Sequence, residues 1–186
     1  MKRKTHQDLV EQYEGKVFVN NLGLEFKILK FIGTREQNPI QFLKSGYTRT
    51  ATTTDIRSGE VKDHYSPSIY GVGCYGIPDK KKTFWKRAKQ LWNNMLKRCY
   101  SEKDKKGYYG KVTVDTRWLV FENFLEDISK LEGFNDWLNY KGMELDKDIL
   151  GDSTVYSKHV CKFVTGAENR SEQGARRSRK KLLASK

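Results

Sequence analysis

The chain has 186 residues, 37% of them apolar, which is enough to bury the interior of one domain or two small ones and excludes a disordered tail. No apolar run approaches the roughly 20 residues that cross a bilayer, and the opening stretch through Val10 has no hydrophobic signal segment, so a membrane partner is excluded and residence in the cytoplasm is expected. The net charge of +13 exceeds what solubility needs, and it is concentrated: residues 79–98 hold eight Lys or Arg against one acid, and residues 174–186 hold six against none.

From Lys16 to Lys62 the pattern is β. After Lys16 to Asn20 and the turn Asn20-Asn21-Leu22-Gly23, the apolar Leu24, Phe26 and Ile28 alternate with Glu25 and Lys27 at period two. Pro39 to Leu43, the Thr-rich Tyr47 to Ile56, and Glu60 to Lys62 read as further strands, about five in all. Between Asp63 and Asp79 the chain is punctuated by Gly and Pro. Gly71-Val72-Gly73-Cys74-Tyr75-Gly76 spells a dinucleotide fingerprint, but the preceding parallel strand, the helix opening on it and the later acid are missing, so a tight linker is expected and no cofactor site.

A helix follows. Phe84, Trp85, Ala88, Leu91, Trp92, Met95, Leu96 and Cys99 form an apolar stripe, and Lys86, Arg87, Lys89, Lys97 and Arg98 take the other side. Trp118, Phe121, Phe124, Leu125 and Ile128 predict a second helix with an acidic outer face. Gly142 to Ile149 reads as a strand running into a loop, Lys162 to Val164 as a returning strand, and Gly166 onward as a basic helix fraying into the tail, a ββα order. Cys74, Cys99 and Cys161 are widely spaced with no CxxC pair, which predicts buried reduced thiols.

The expected fold is therefore α+β. Residues 1–78 form a small antiparallel β-rich barrel or curled sheet ending in the Gly/Pro linker, residues 79–173 hold the helical segment and the ββα unit, and residues 174–186 form a basic flexible tail. The two basic clusters point to phosphate contacts through Lys86, Arg87, Lys89, Lys97, Arg98, Arg176, Arg177, Arg179 and Lys180, against the plainer reading of a solvated charged face. Double-stranded DNA is the expected partner.

The runs Trp92 to Glu102, Val114 to Trp118 and Phe121 to Phe124 continue in order with Leu145-Asp146-Lys147-Asp148-Ile149-Leu150, Tyr156-Ser157, Cys161-Lys162-Phe163-Val164 and Glu168-Asn169. In this order they resemble the phage-encoded HNH endonuclease-like family, and the stretch from Val61-Lys62-Asp63 to Gly71-Val72-Gly73 looks like a leader region of such proteins. The resemblance implies a ββα-metal (HNH-like) module in the bacterial host's cytoplasm that hydrolyses DNA phosphodiesters with a divalent metal, Mg²⁺ or Mn²⁺. Carried onto this chain, it implies Asp146, Asp148 and Asn169 as metal ligands and His159 with Asp148 as the catalytic pair. Asp146 and Asp148 lie two apart and share a face if extended, so they either share a cation or pair with Lys147 and Lys158.

The first-strand stretch Glu144 to Asp148 contains no His, where the family's active pattern has one. A second reading therefore stands beside the nuclease: an inactive HNH-like scaffold working by binding alone, as a DNA-binding regulator or as a counter-defence protein that binds a host protein or nucleoprotein complex.

Overall fold

The period-two run around Phe26 builds the first sheet. In the computed structural model, which describes residues 4–104, 109–150 and 154–184, Glu25–Ile28 is strand β2, with Phe26 and Ile28 buried and Glu25 and Lys27 turned outward. It lies between β1 (Val17–Val19) and β3 (Asn38–Phe42), and β4 (Thr48–Ala51) completes an antiparallel sheet in sequence order. The register sets Phe18 opposite Phe26 and Phe26 opposite Phe42. Phe26, Ile28, Ile40, Phe42 and Ala51 then share one core with Tyr13, Phe31, Ile56 and Val61.

Four strands and one helix stand where five strands were expected, and a second helix precedes them. The stretch from Tyr47 to Ile56 is a strand only as far as Ala51, and α2 (Thr53–Ser58) follows. The cause is local: the Thr52 hydroxyl accepts from the Asp55 N–H and the Asp55 carboxylate accepts from the Thr52 N–H, a reciprocal cap that overrides the β preference of threonine. Helix α1 (His6–Tyr13), which the sequence reading did not include, opens on the same device, with Thr5 and Asp8. Residues 60–62 form no strand; Val61 drops into the core and its carbonyl accepts from Asn20 Nδ2.

The chain divides into two units, Met1–Ser66 and Pro67–Lys186. The second is assembled on α3 (Trp85–Tyr100), whose buried Ala88, Trp92, Met95, Leu96 and Cys99 follow the expected stripe. Trp92 and Trp118 are fully buried, and Trp92 Nε1 donates to the Trp118 carbonyl at 2.6 Å. Burying an indole of that size contributes roughly 5 kcal/mol.

The stretch expected as a linker belongs to this second core, which is why the division falls at Ser66 and not at 78. Cys74 N–H donates to Leu119 O and Phe121 N–H to Cys74 O. Gly73 lies so close to α3 that an added Cβ would sit 2.5 Å from Leu96 Cδ1 and 3.0 Å from the Trp92 ring, so the glycine serves close packing.

The second expected helix is broken into a 3-10 turn (Thr116–Leu119), α4 (Phe121–Asp127) and another 3-10 turn (Ile128–Lys130). Its buried Asp127 accepts from Arg117 Nε at 2.8 Å and from Trp118 Nε1 at 3.0 Å. Helix α5 (Phe134–Asn139) comes next, then β6 (Met143–Asp146), which pairs antiparallel with β8 (Lys162–Thr165). Between them, β7 (Val155–Tyr156) pairs in parallel with β5 (Thr113–Val114).

Helix α6 (Gly166–Ala184) starts where Thr165 and Glu168 cap each other, and it carries through Gly174 to Ala184, the stretch expected as a flexible tail. All three cysteines are buried free thiols. Burial pushes Cys99 up to about 11 and Cys161 up to about 12.

Candidate functional site

Strand β6, helix α3 and helix α6 enclose a cavity of about 220 Å³ in the second unit. Asp146, Asp148 and Asn169, chosen from distant parts of the sequence, all line it, and Arg98 of α3 borders it. Asp146 is buried, and its Oδ2 accepts the N–H groups of Asp148 and Ile149, each at 2.8 Å. That pair of bonds turns the chain out of β6 and fixes where the next acid points.

Asp148 Oδ1 receives two of the chain's own cations. Lys147 Nζ lies 2.6 Å away, on a side chain that is itself buried, and Arg176 Nη1 of α6 lies 3.1 Å away. Lys147 is one of the two lysines that the sequence offered as a partner for these acids. Lys147 also stands 5.6 Å from the centre of the Tyr156 ring, so its ammonium is enclosed by a carboxylate and an aromatic face.

Asn169 donates its amide to Glu144 Oε2 and accepts from Gln173 Nε2 at 3.1 Å. Glu144 was not among the residues singled out from the sequence. The signal was there: it lies two positions before Asp146 on the same strand, hence on the same face. His159 sits exposed in the turn before β8, with its backbone N–H directed at Ser157 Oγ, and it does not line the cavity.

These side chains, as placed, do not fit a divalent cation. Asp148 is held by Lys147 and Arg176, one oxygen of Asp146 is bound to two N–H groups, and the Asn169 amide oxygen is taken by Gln173. Among the described residues, no group of three or more His, Cys, Asp or Glu side chains is arranged to hold a metal ion.

The basic residues divide into two kinds. Lys86, Lys97 and Arg98 on α3 and Arg177 on α6 are exposed. Arg87 and Lys89 are half-buried and engaged in packing: the Arg87 guanidinium lies 4.3 Å from the centre of the Trp137 ring and donates to the carbonyls of Leu138 and Tyr140 at the end of α5, and Lys89 stands over Tyr75. Arg176 is half-buried in its bridge to Asp148. Arg179 and Lys180 belong to α6, and their side chains lie outside the described ones. Residues 67–186 hold 25 Lys and Arg against 15 Asp and Glu, so the second unit carries most of the surplus charge.

Compared with known proteins, the chain matches no family model, no curated protein and no solved structure.

Proposed function

We propose that residues 67–186 form an HNH-like module that binds double-stranded DNA without cleaving it. One observation carries this reading: Asp148 in the cavity is neutralised from within by Lys147 and Arg176, and Asp146 and Glu144 are engaged by backbone N–H groups and by Asn169, while Lys86, Lys97, Arg98 and Arg177 remain exposed on the two helices that border it. A surface of that kind attracts a polyanion through counterion release, with a log-log salt slope of about −0.9 per phosphate contacted. The residues lining the cavity include no histidine to deprotonate water, and the Asp148 carboxylate is already engaged by two cations.

The test is a titration of the protein against a short duplex over a range of salt concentrations, beside incubation with supercoiled plasmid and Mg²⁺ or Mn²⁺. Lys86→Glu, Lys97→Glu and Arg98→Glu should each weaken duplex binding and make the salt slope shallower by about one phosphate contact or less. The plasmid should stay intact. Nicking that disappears with EDTA and with Asp146→Ala would restore the metal-dependent nuclease. Duplex affinity unchanged in all three variants would remove the DNA reading.

A further inference from the structure

The first unit carries an aromatic cluster that the duplex-binding reading does not use. Tyr47 precedes β4, and its ring lies 5.2 Å from that of Tyr65 and 5.7 Å from that of His64, with Phe42 of the core behind it at 6.4 Å. His64 is exposed, and the two tyrosines are half-buried.

Backbone contacts hold both halves of the cluster in place. The Phe42 N–H donates to Tyr47 O at 2.9 Å and closes the turn before β4. The segment carrying the other two rings is tied down by Asn20 Nδ2 on Val61 O at 2.8 Å, by Arg49 Nη1 on Lys62 O at 3.1 Å, and by the Tyr65 N–H on Asp63 Oδ1 at 2.8 Å. Rings fixed before a ligand arrives lose little freedom on binding it.

We propose that Tyr47, His64 and Tyr65 form a base-stacking site for single-stranded nucleic acid, carried by the first unit alone. Charge decides the class of ligand. Within three residues of a ring along the chain stand Lys44, Arg49 and Lys62, and the one acid in that range, Asp63, accepts the Tyr65 N–H. Three cations to one acid suit a strand whose phosphates follow its bases, and they oppose a methylated ammonium ligand, which would need the reverse balance. Unpaired bases are required because only they offer an open face to a ring, and stacking of this kind tolerates any sequence.

The experiment uses the full chain and a short oligothymidylate, followed by fluorescence anisotropy across a salt series. Tyr65→Ala and His64→Ala should each weaken binding about tenfold. Tyr65→Phe and His64→Phe, which keep an aromatic face, should bind nearly as the parent does. The salt slope should not change in any of the four, because no phosphate contact is removed, and duplex binding should be unaffected, so this site and the second unit's surface can fail separately. Should an alanine variant unfold, the parent protein still decides: irradiated with a bromouracil-substituted strand, it should crosslink at residues 47, 64 or 65. Alanine variants that bind as the parent does, crosslinks confined to residues 79–98 and 166–178, no affinity for the single strand, or preference for a trimethyl-lysine peptide would each overturn the proposal.

Discussion

The Asp127 carboxylate shows how one buried charge is sustained in the second unit. Burial pushes its pKa up, but the hydrogen bonds from Arg117 and Trp118 outweigh that and leave it below the usual carboxylate range. A depressed folded pKa means that the stabilisation is fully present above the unfolded value and is lost as the pH falls through the folded one. Asp127→Asn removes the buried one of the two carboxylates that Arg117 bridges, leaving Glu126, and because Arg117 is partly exposed the change should cost on the order of 1–2 kcal/mol at neutral pH. In thermal melts the gap between parent and variant should close as the pH drops below about 3.9. A gap that stayed constant into acid would show that shape, not charge, holds Arg117. At this same scale the candidate site was partly legible. Asp146, Asp148 and Asn169 do meet in one cavity, whereas His159 does not line it and the internal cations Lys147 and Arg176 were not foreseen as a set. Residue order reveals which side chains share a strand face; it does not reveal which cation a distant helix will deliver.

Among the elements, α3 was readable because its apolar period runs for more than four turns, long enough to outweigh local noise. The stretch from Tyr47 to Ile56 was misread because threonine fits both a strand and a helix cap, and only the Thr52–Asp55 reciprocity separates them. The helix expected through Trp118 to Ile128 failed for a different reason. Val120 carries a strand-like ψ of 117° and Cys74 bridges to it, which interrupts the helix at that point. Arg87 shows how a basic face can mislead, since it fastens α3 to the end of α5. Arg87→Lys keeps the charge but loses the planar fork that spans two carbonyls and covers Trp137. It should lower stability by about 2 kcal/mol in denaturant unfolding and leave the salt slope for duplex DNA as it was. A changed slope with unaltered stability would return Arg87 to the phosphate contacts.

Taken whole, the molecule is two units with two cores that share no buried residue: Phe26, Ile28, Ile40 and Phe42 centre the first, and Trp92, Trp118, Phe121 and Phe124 the second. The boundary was not legible because the Gly-rich run from 71 to 76 has the composition of a linker, while Gly73 lies against α3 and Gly76 against Val120 and Glu122. Residues 67–186 produced alone should melt cooperatively and retain duplex affinity with the parent's salt slope. Residues 1–66 should be the less stable piece, since a domain of about 60 residues buries a smaller share of its surface. Circular dichroism melts of the two fragments check both statements, and an unfolded 67–186 fragment would contradict the division. The buried thiols carry a practical consequence. With Cys99 and Cys161 protonated far above neutral pH and Cys74 also enclosed, the folded chain offers alkylating reagents almost no thiolate. A single cysteine placed on an exposed helix position would then be the reactive one, so a dye or spin probe could be attached at a chosen point without first stripping the protein of its native sulfur.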